Sequence, residues 1–180
     1  MLFFIAMYNL FFASQRPEYF IEHNQTYQKL GLLRWEDGKD HSLPQDYADM
    51  LGWKELALKV DTIYSKLPNK ANTLIICDNY GQAGAINYYT QLKAVSFNAD
   101  YIDWFDLTKN YQNLIRVKEL SDPDTELKET SPFFVNSRVA GSITNKYSRE
   151  FGTLIFAFVG SNIDINNRIK NEIDKKKNYR

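Results

Sequence analysis

Apolar positions along the chain fall into short runs whose spacing changes from segment to segment. After Pro17, a residue favoured in a first helical turn, Phe20, Ile21, Tyr27 and Leu30 recur at loosely helical intervals, and Gly31 stands where a C-cap belongs. This predicts a helix over residues 17–30. The polar stretch from Arg34 to Ser42, with Gly38 inside it, reads as a surface loop. From Tyr47 onward, Met50, Trp53, Leu56, Val60, Ile63 and Leu67 recur in steps of three and four, the signature of one helical face. Gly52 is placed to split that helix and Pro68 to end it.

The pattern then shortens. Thr73–Cys77 (TLIIC) is a continuous β-rich run bounded by Asn72 and Asp78, as expected of a strand buried on both faces. NYGQAG and AINYYTQL follow, giving strand, turn and helix in order. Ala94–Phe97 and Asn113–Leu120 are the next strand candidates, and the acidic SDPDTELKET reads as a loop or short helix. Phe133–Ile143 and Thr153–Val159 read as the last two strands, separated by the polar TNKYSREFG. Ile163, Ile169 and Ile173 line a final helix that frays into Lys175, Lys176, Lys177 and Arg180. Strands alternating with helices predict a three-layer α/β domain, a mostly parallel central sheet flanked by helices. Thr73–Cys77 and Thr153–Val159 are expected as interior strands, and a connection as short as TNKYSREFG allows the final pair to be antiparallel.

The first twelve residues, MLFFIAMYNLFF, carry no charge, and none appears before Arg16. A bilayer span needs about 20 such residues, and a signal peptide needs a basic n-region that is absent here. Residues 1–14 therefore read as the clipped end of a transmembrane helix ahead of a soluble α/β domain over 15–180. The alternative is a buried first helix or strand.

Composition narrows the function classes. In 180 residues, 22 Lys plus Arg balance 22 Asp plus Glu, so the basic face of a dedicated nucleic-acid binder is not expected. A lone cysteine, Cys77, excludes an internal disulfide, and the isolated His23 and His41 cannot supply a clustered zinc site. No cofactor and no metal are implied. Aromatic residues make up 15% of the chain, which suits either a contact surface or core packing.

Candidate chemistry gathers in two loops. The turn Asp78-Asn79-Tyr80-Gly81-Gln82-Ala83-Gly84 joins a strand to a helix, where free N–H groups can hold a phosphate. It has no Walker lysine and not the full G-x-G-x-x-G spacing, and a tight turn with close helix packing accounts for its glycines equally well. The segment SFNADYIDWFDL combines Asp100, Asp103 and Asp106 with Tyr101, Trp104 and Phe105. Its bland reading is that Asn98 and Asp100 end a strand and cap a helical turn. In open α/β sheets ligands bind beyond the carboxyl ends of the strands. Asn79, Tyr80 and Gln82 on the first loop and Asn98, Asp100, Tyr101 and Trp104 on the second are thus expected as neighbours in a site suited to a sugar or sugar phosphate. Asp46 and Asp49 read as helix caps rather than a general acid and base, and no G-x-S-x-G elbow is present. On these residues alone, a self-sufficient binding module for a nucleotide or small phosphorylated ligand, cradled by Gly81–Gly84, is one reading.

Four stretches also stand in a distinctive order: LPQDYADMLGWKEL (43–56), DNYGQAGAINYY (78–89), SFNADYIDW (96–104) and NKYSREFGTLIFAF (145–158). Together, over about residues 17–165, they resemble the C-terminal soluble domain of bacterial family 39 glycosyltransferases. These membrane proteins are similar to dolichyl-phosphate-mannose protein mannosyltransferases. The resemblance implies an accessory extracytoplasmic domain, on the periplasmic or outer face of the cell membrane, of an enzyme moving a sugar from a polyprenyl-phosphate donor to an acceptor. It implies the transmembrane part of the same polypeptide as partner, with a lipid-linked sugar or acceptor as candidate ligand. The family's catalytic carboxylate lies in the membrane part, so no catalytic residue is carried over and the fragment by itself is expected to be inactive.

Overall fold

The computed structural model describes Tyr8 and residues 14–119 and 123–178, which cluster into two compact units. Apart from Tyr8 and Ser14, the segment expected to end a membrane helix lies outside the described residues. No helix among the described residues is long and apolar enough to cross a membrane.

The first unit comprises the chain up to Gly52 together with 145–151. It holds helices α1 (Pro17–Glu22), α2 (Asn24–Lys29) and α3 (Gln45–Ala48). The single helix expected over 17–30 is broken at His23. Its ring Nδ1 lies 2.8 Å from the Tyr19 carbonyl, and its own backbone N–H bonds to the same oxygen, so the side chain competes locally with helix propagation. Phe20, Tyr27, Leu33, Leu43 and Tyr47 form an aromatic-rich core, with the Phe20 ring 4.3 Å from Tyr47 and 5.1 Å from Tyr27, centre to centre. Residues 145–151 complete this unit. Ser148 Oγ donates to the Leu51 carbonyl at 2.8 Å, the Arg149 backbone N–H donates to Ala48, and the Arg149 guanidinium meets Asp49 and Glu36, each at 3.2 Å.

The second unit carries the sheet. It begins with α4 (Trp53–Ser65), which starts just beyond Gly52. At φ +87° this glycine takes a conformation that splits the helical pattern where the sequence placed the break. Strand β1 (Thr73–Cys77) leads into α5 (Tyr80–Tyr89) and β2 (Ala94–Ser96). A 3₁₀ turn (Ala99–Trp104) then connects to β3 (Asn113–Lys118). The acidic segment forms α6 (Pro123–Thr130), and β4 (Phe134–Ser142), β5 (Leu154–Ser161) and α7 (Ile165–Asn178) complete the unit.

The strand order is β2-β1-β3-β5-β4. β1 pairs in parallel with β2 and β3, while β5 runs antiparallel to both β3 and β4. Both expected interior strands are interior, and the final pair is antiparallel. Side chains alternate across the sheet, and each set meets its own layer. Ile75, Cys77, Ile115, Val117, Ile155 and Ala157 pack on α4 and α5 through Leu56, Val60, Ile63, Ala83 and Ile86. Leu74, Ile76, Leu114, Phe156 and Phe158 pack on α7 through Ile165, Ile169 and Ile173. The result is the expected three-layer α/β arrangement, with a parallel core extended by antiparallel strands.

Phe156 is fully buried on the α7 face, whereas Val135 on the edge strand is 69% exposed. Phe156→Ala is expected to lower unfolding free energy by about 3–5 kcal/mol. Val135→Ala should stay within about 0.5 kcal/mol of the parent. Equilibrium denaturation of the two variants checks the layer assignment, and equal losses would contradict it.

Candidate functional site

Three strands bring their carboxyl ends together around Asp78, the residue that follows β1. Its carbonyl accepts the Asn98 side-chain amide at 2.9 Å and lies 3.4 Å from the Ser96 hydroxyl, both from the end of β2. Its carboxylate Oδ2 accepts the Glu119 backbone N–H at 3.1 Å, at the end of β3. Asn79 reinforces the junction by donating to the Glu119 carboxylate at 2.7 Å. The two loops that the sequence predicts to adjoin do so through this residue.

The N-terminus of α5 is closed by its own side chains. Asn79 Oδ1 accepts the Gln82 backbone N–H at 2.8 Å, the N-cap bond expected of asparagine. Gln82 is fully buried, and its Oε1 accepts the Asp78 backbone N–H at 3.2 Å. The glycines of this turn serve contact. A Cβ on Gly81 would lie 3.3 Å from the Trp53 ring, and one on Gly84 would lie 3.1 Å from the Tyr101 hydroxyl.

The seven candidate residues therefore divide. Asn79, Gln82 and Asn98 gather around Asp78. Tyr101 and Trp104 lie against each other, ring centres 4.2 Å apart and planes tilted by 36°, because residues three apart eclipse in a 3₁₀ turn. That turn straddles the sheet edge: Tyr101 packs with the α4–α5 layer, whereas Ile102 joins the α7 layer. Trp104 faces a cleft of about 190 Å³ that also involves Leu92, Lys93, Asp106 and Tyr111. Tyr80 and Asp100 are exposed.

A larger cleft, about 370 Å³, opens at the same carboxyl end but on the α7 face. Ile76, Leu114, Phe134, Ile165 and Ile169 form its apolar floor. Its polar groups are Asp78 and Asn98 from the loops, Arg116 from β3, and Arg168, Glu172 and Lys176 from successive turns of α7. The four outside the loops escaped the sequence reading, although each leaves a trace. Arg116 shares a strand face with the buried Leu114, where a charge is out of place. Arg168, Glu172 and Lys176 form a stripe beside Ile165, Ile169 and Ile173, a pattern that reads as an ordinary solvated face.

The charges of this cleft are unevenly matched. Glu126, buried on α6, serves two cations at once: Arg116 Nε at 3.4 Å and Lys118 Nζ at 3.3 Å, while also accepting the Thr130 hydroxyl at 3.0 Å. The Arg168 guanidinium lies 4.4 Å over the Phe133 ring, and Lys176 Nζ lies 5.6 Å from the Phe97 ring centre. Burial pushes the Asp78 carboxyl above the usual carboxylate range, a rise that nearby Lys118, the Glu119 N–H and Arg116 only partly offset. A half-buried carboxyl of raised pKa in a cleft is the kind of group found at working sites.

Because the folded chain holds the Asp78 proton more tightly than the unfolded chain, the group detracts from stability as pH rises from the ordinary aspartate value through the folded one. Asp78→Asn removes that loss. Denaturation measured between about pH 3 and pH 7 should show the stability of Asp78→Asn, relative to the parent, increasing with pH. A difference that does not change with pH would mean that Asp78 is not desolvated.

No family model matches this chain, and neither the curated proteins nor the solved structures contain a significant match to it.

Proposed function

We propose that this chain is the accessory extracytoplasmic domain of an integral-membrane glycosyltransferase of the family 39 type, placed beside the membrane to position the lipid-linked sugar or the acceptor. The reading rests on the four stretches in their order and spacing. What supports it is that these stretches meet one another. Trp53 of the first packs on Gly81 of the second, and Asp78 and Gly84 of the second touch Asn98 and Tyr101 of the third. In the other unit, Ser148 and Arg149 of the fourth bind Leu51 and Asp49 of the first.

In this role the domain performs no bond-making step. Sugar transfer from a polyprenyl phosphate needs a site that holds the donor lipid and a carboxylate base, both of which the resemblance assigns to the membrane part. The domain's contribution is recognition at the carboxyl edge of the sheet, through the hydrogen-bonding groups and aromatic faces gathered there.

The purified chain, supplied with polyprenyl-phosphate mannose and a peptide or glycan acceptor, is expected to transfer no sugar. Transfer by the fragment that disappears in Asp100→Ala or Asp103→Ala would overturn the accessory role. The reading frame that encodes the chain is expected to specify eight or more hydrophobic spans upstream of Met1. A frame without them would favour a stand-alone module.

A further inference from the structure

We infer that the cleft between the carboxyl ends of β1 and β2 and helix α7 binds a small phosphate ester carried on a polyhydroxyl body. This does not rest on the transferase reading: the cleft belongs to the sheet-bearing unit alone, and its occupancy is independent of any membrane partner. Its volume of about 370 Å³ lies within the range of small-molecule sites.

Three cations, Arg116, Arg168 and Lys176, reach it. Arg116 and Lys118 must share the single carboxylate of Glu126, and the buried Nε of Arg116 has no hydrogen-bond acceptor. Arg168 and Lys176 rest on aromatic rings, and no carboxylate among the described residues lies within ion-pair distance of either. Planar guanidinium groups and an ammonium converging on one space are the donors that hold phosphate oxygens.

A bare anion would fit this cleft poorly, because Asp78 and Glu172 line it too. Carboxylates beside a phosphate repel it, but they accept hydrogen bonds from neighbouring hydroxyl groups. Asn98, whose amide already holds the Asp78 carbonyl, offers its side-chain oxygen as a further acceptor. The ring of Phe97 and the apolar floor supply a face for the carbon skeleton of the same molecule. Phosphate at the cations, hydroxyls at the carboxylates and a ring against the floor together describe a phosphorylated sugar or a nucleoside monophosphate. The two share this chemistry.

Titration of the full chain, followed by backbone amide shifts, separates the cases. Mannose 1-phosphate and adenosine monophosphate are the two ester arms, with methyl mannoside and inorganic phosphate as references. At least one ester is expected to move the amides of residues 78, 98, 116 and 168–176 at millimolar concentration. The references should bind about tenfold more weakly or worse. Which ester binds more tightly identifies the body, sugar or nucleoside. Arg168→Gln and Lys176→Gln should each weaken binding by about threefold or more, and added salt should weaken it further. Lys176 is exposed, so its variant is expected to unfold with the parent. Should Arg168→Gln fail to fold, Lys176→Gln and the salt series carry the test. No movement of these amides with either ester would overturn the inference. So would equal binding of methyl mannoside, inorganic phosphate binding as tightly as the esters, or affinity unchanged in Lys176→Gln and insensitive to salt.

Discussion

The central strands of this chain have no solvent side. β1 is buried from Thr73 to Cys77, and β3 and β5 are flanked by the same two apolar layers. A strand in that position must carry apolar side chains or satisfy its polar groups internally, and the Arg116 Nε at the cleft is an exception. Asn113 shows how strict the condition is. It is 2% exposed at the start of β3, yet its amide donates to the Pro68 carbonyl at 2.6 Å and its oxygen accepts the Gly160 N–H at 3.1 Å. β1 is followed by the crossover helix α5, which packs on one of its faces and leads into the parallel strand β2, while α7 covers the opposite face.

The same condition explains why much of the fold was legible. Doubly buried strands leave continuous apolar runs, such as TLIIC and TLIFAFV, and surface helices leave periodic ones. Elements governed by local competition were less visible. The break at His23 depends on one side chain reaching one carbonyl, and no periodicity records that. The helix of the SDPDTELKET segment is anchored by Glu126, a residue whose burial among cations contradicts its usual preference for the surface.

The site was legible in its backbone and not in its charges. Asp78 and Asn98 sit at strand ends, and the rule that places ligands beyond the carboxyl edge of a parallel sheet needs no side-chain detail. Yet Asn79 and Gln82, attractive as ligand groups, are engaged in closing the helix terminus, while Tyr101 packs with the α4–α5 layer and Trp104 lines a separate cleft. The cations of the α7 cleft arrive from β3 and from a helix some fifty residues later in the chain. Their convergence is a property of strand order, with β5 inserted beside β3, and strand order is not written in any local pattern.

The first unit is discontinuous, since the segment that completes it lies in the connection between β4 and β5. The bond from Ser148 to Leu51 closes a separation of 97 residues. On a ribosome adding roughly 5–20 residues per second, the N-terminal helices emerge many seconds before the segment that finishes their core. The N-terminal helices of this unit therefore wait for a segment that is made after most of the sheet-bearing unit. That segment is carried in the connection of the β4–β5 hairpin. A nascent chain halted before residue 145 would lack Tyr147, which packs against the aromatic core of Phe20, Tyr27 and Tyr47, and the bond from Ser148 to Leu51, whatever the state of the sheet.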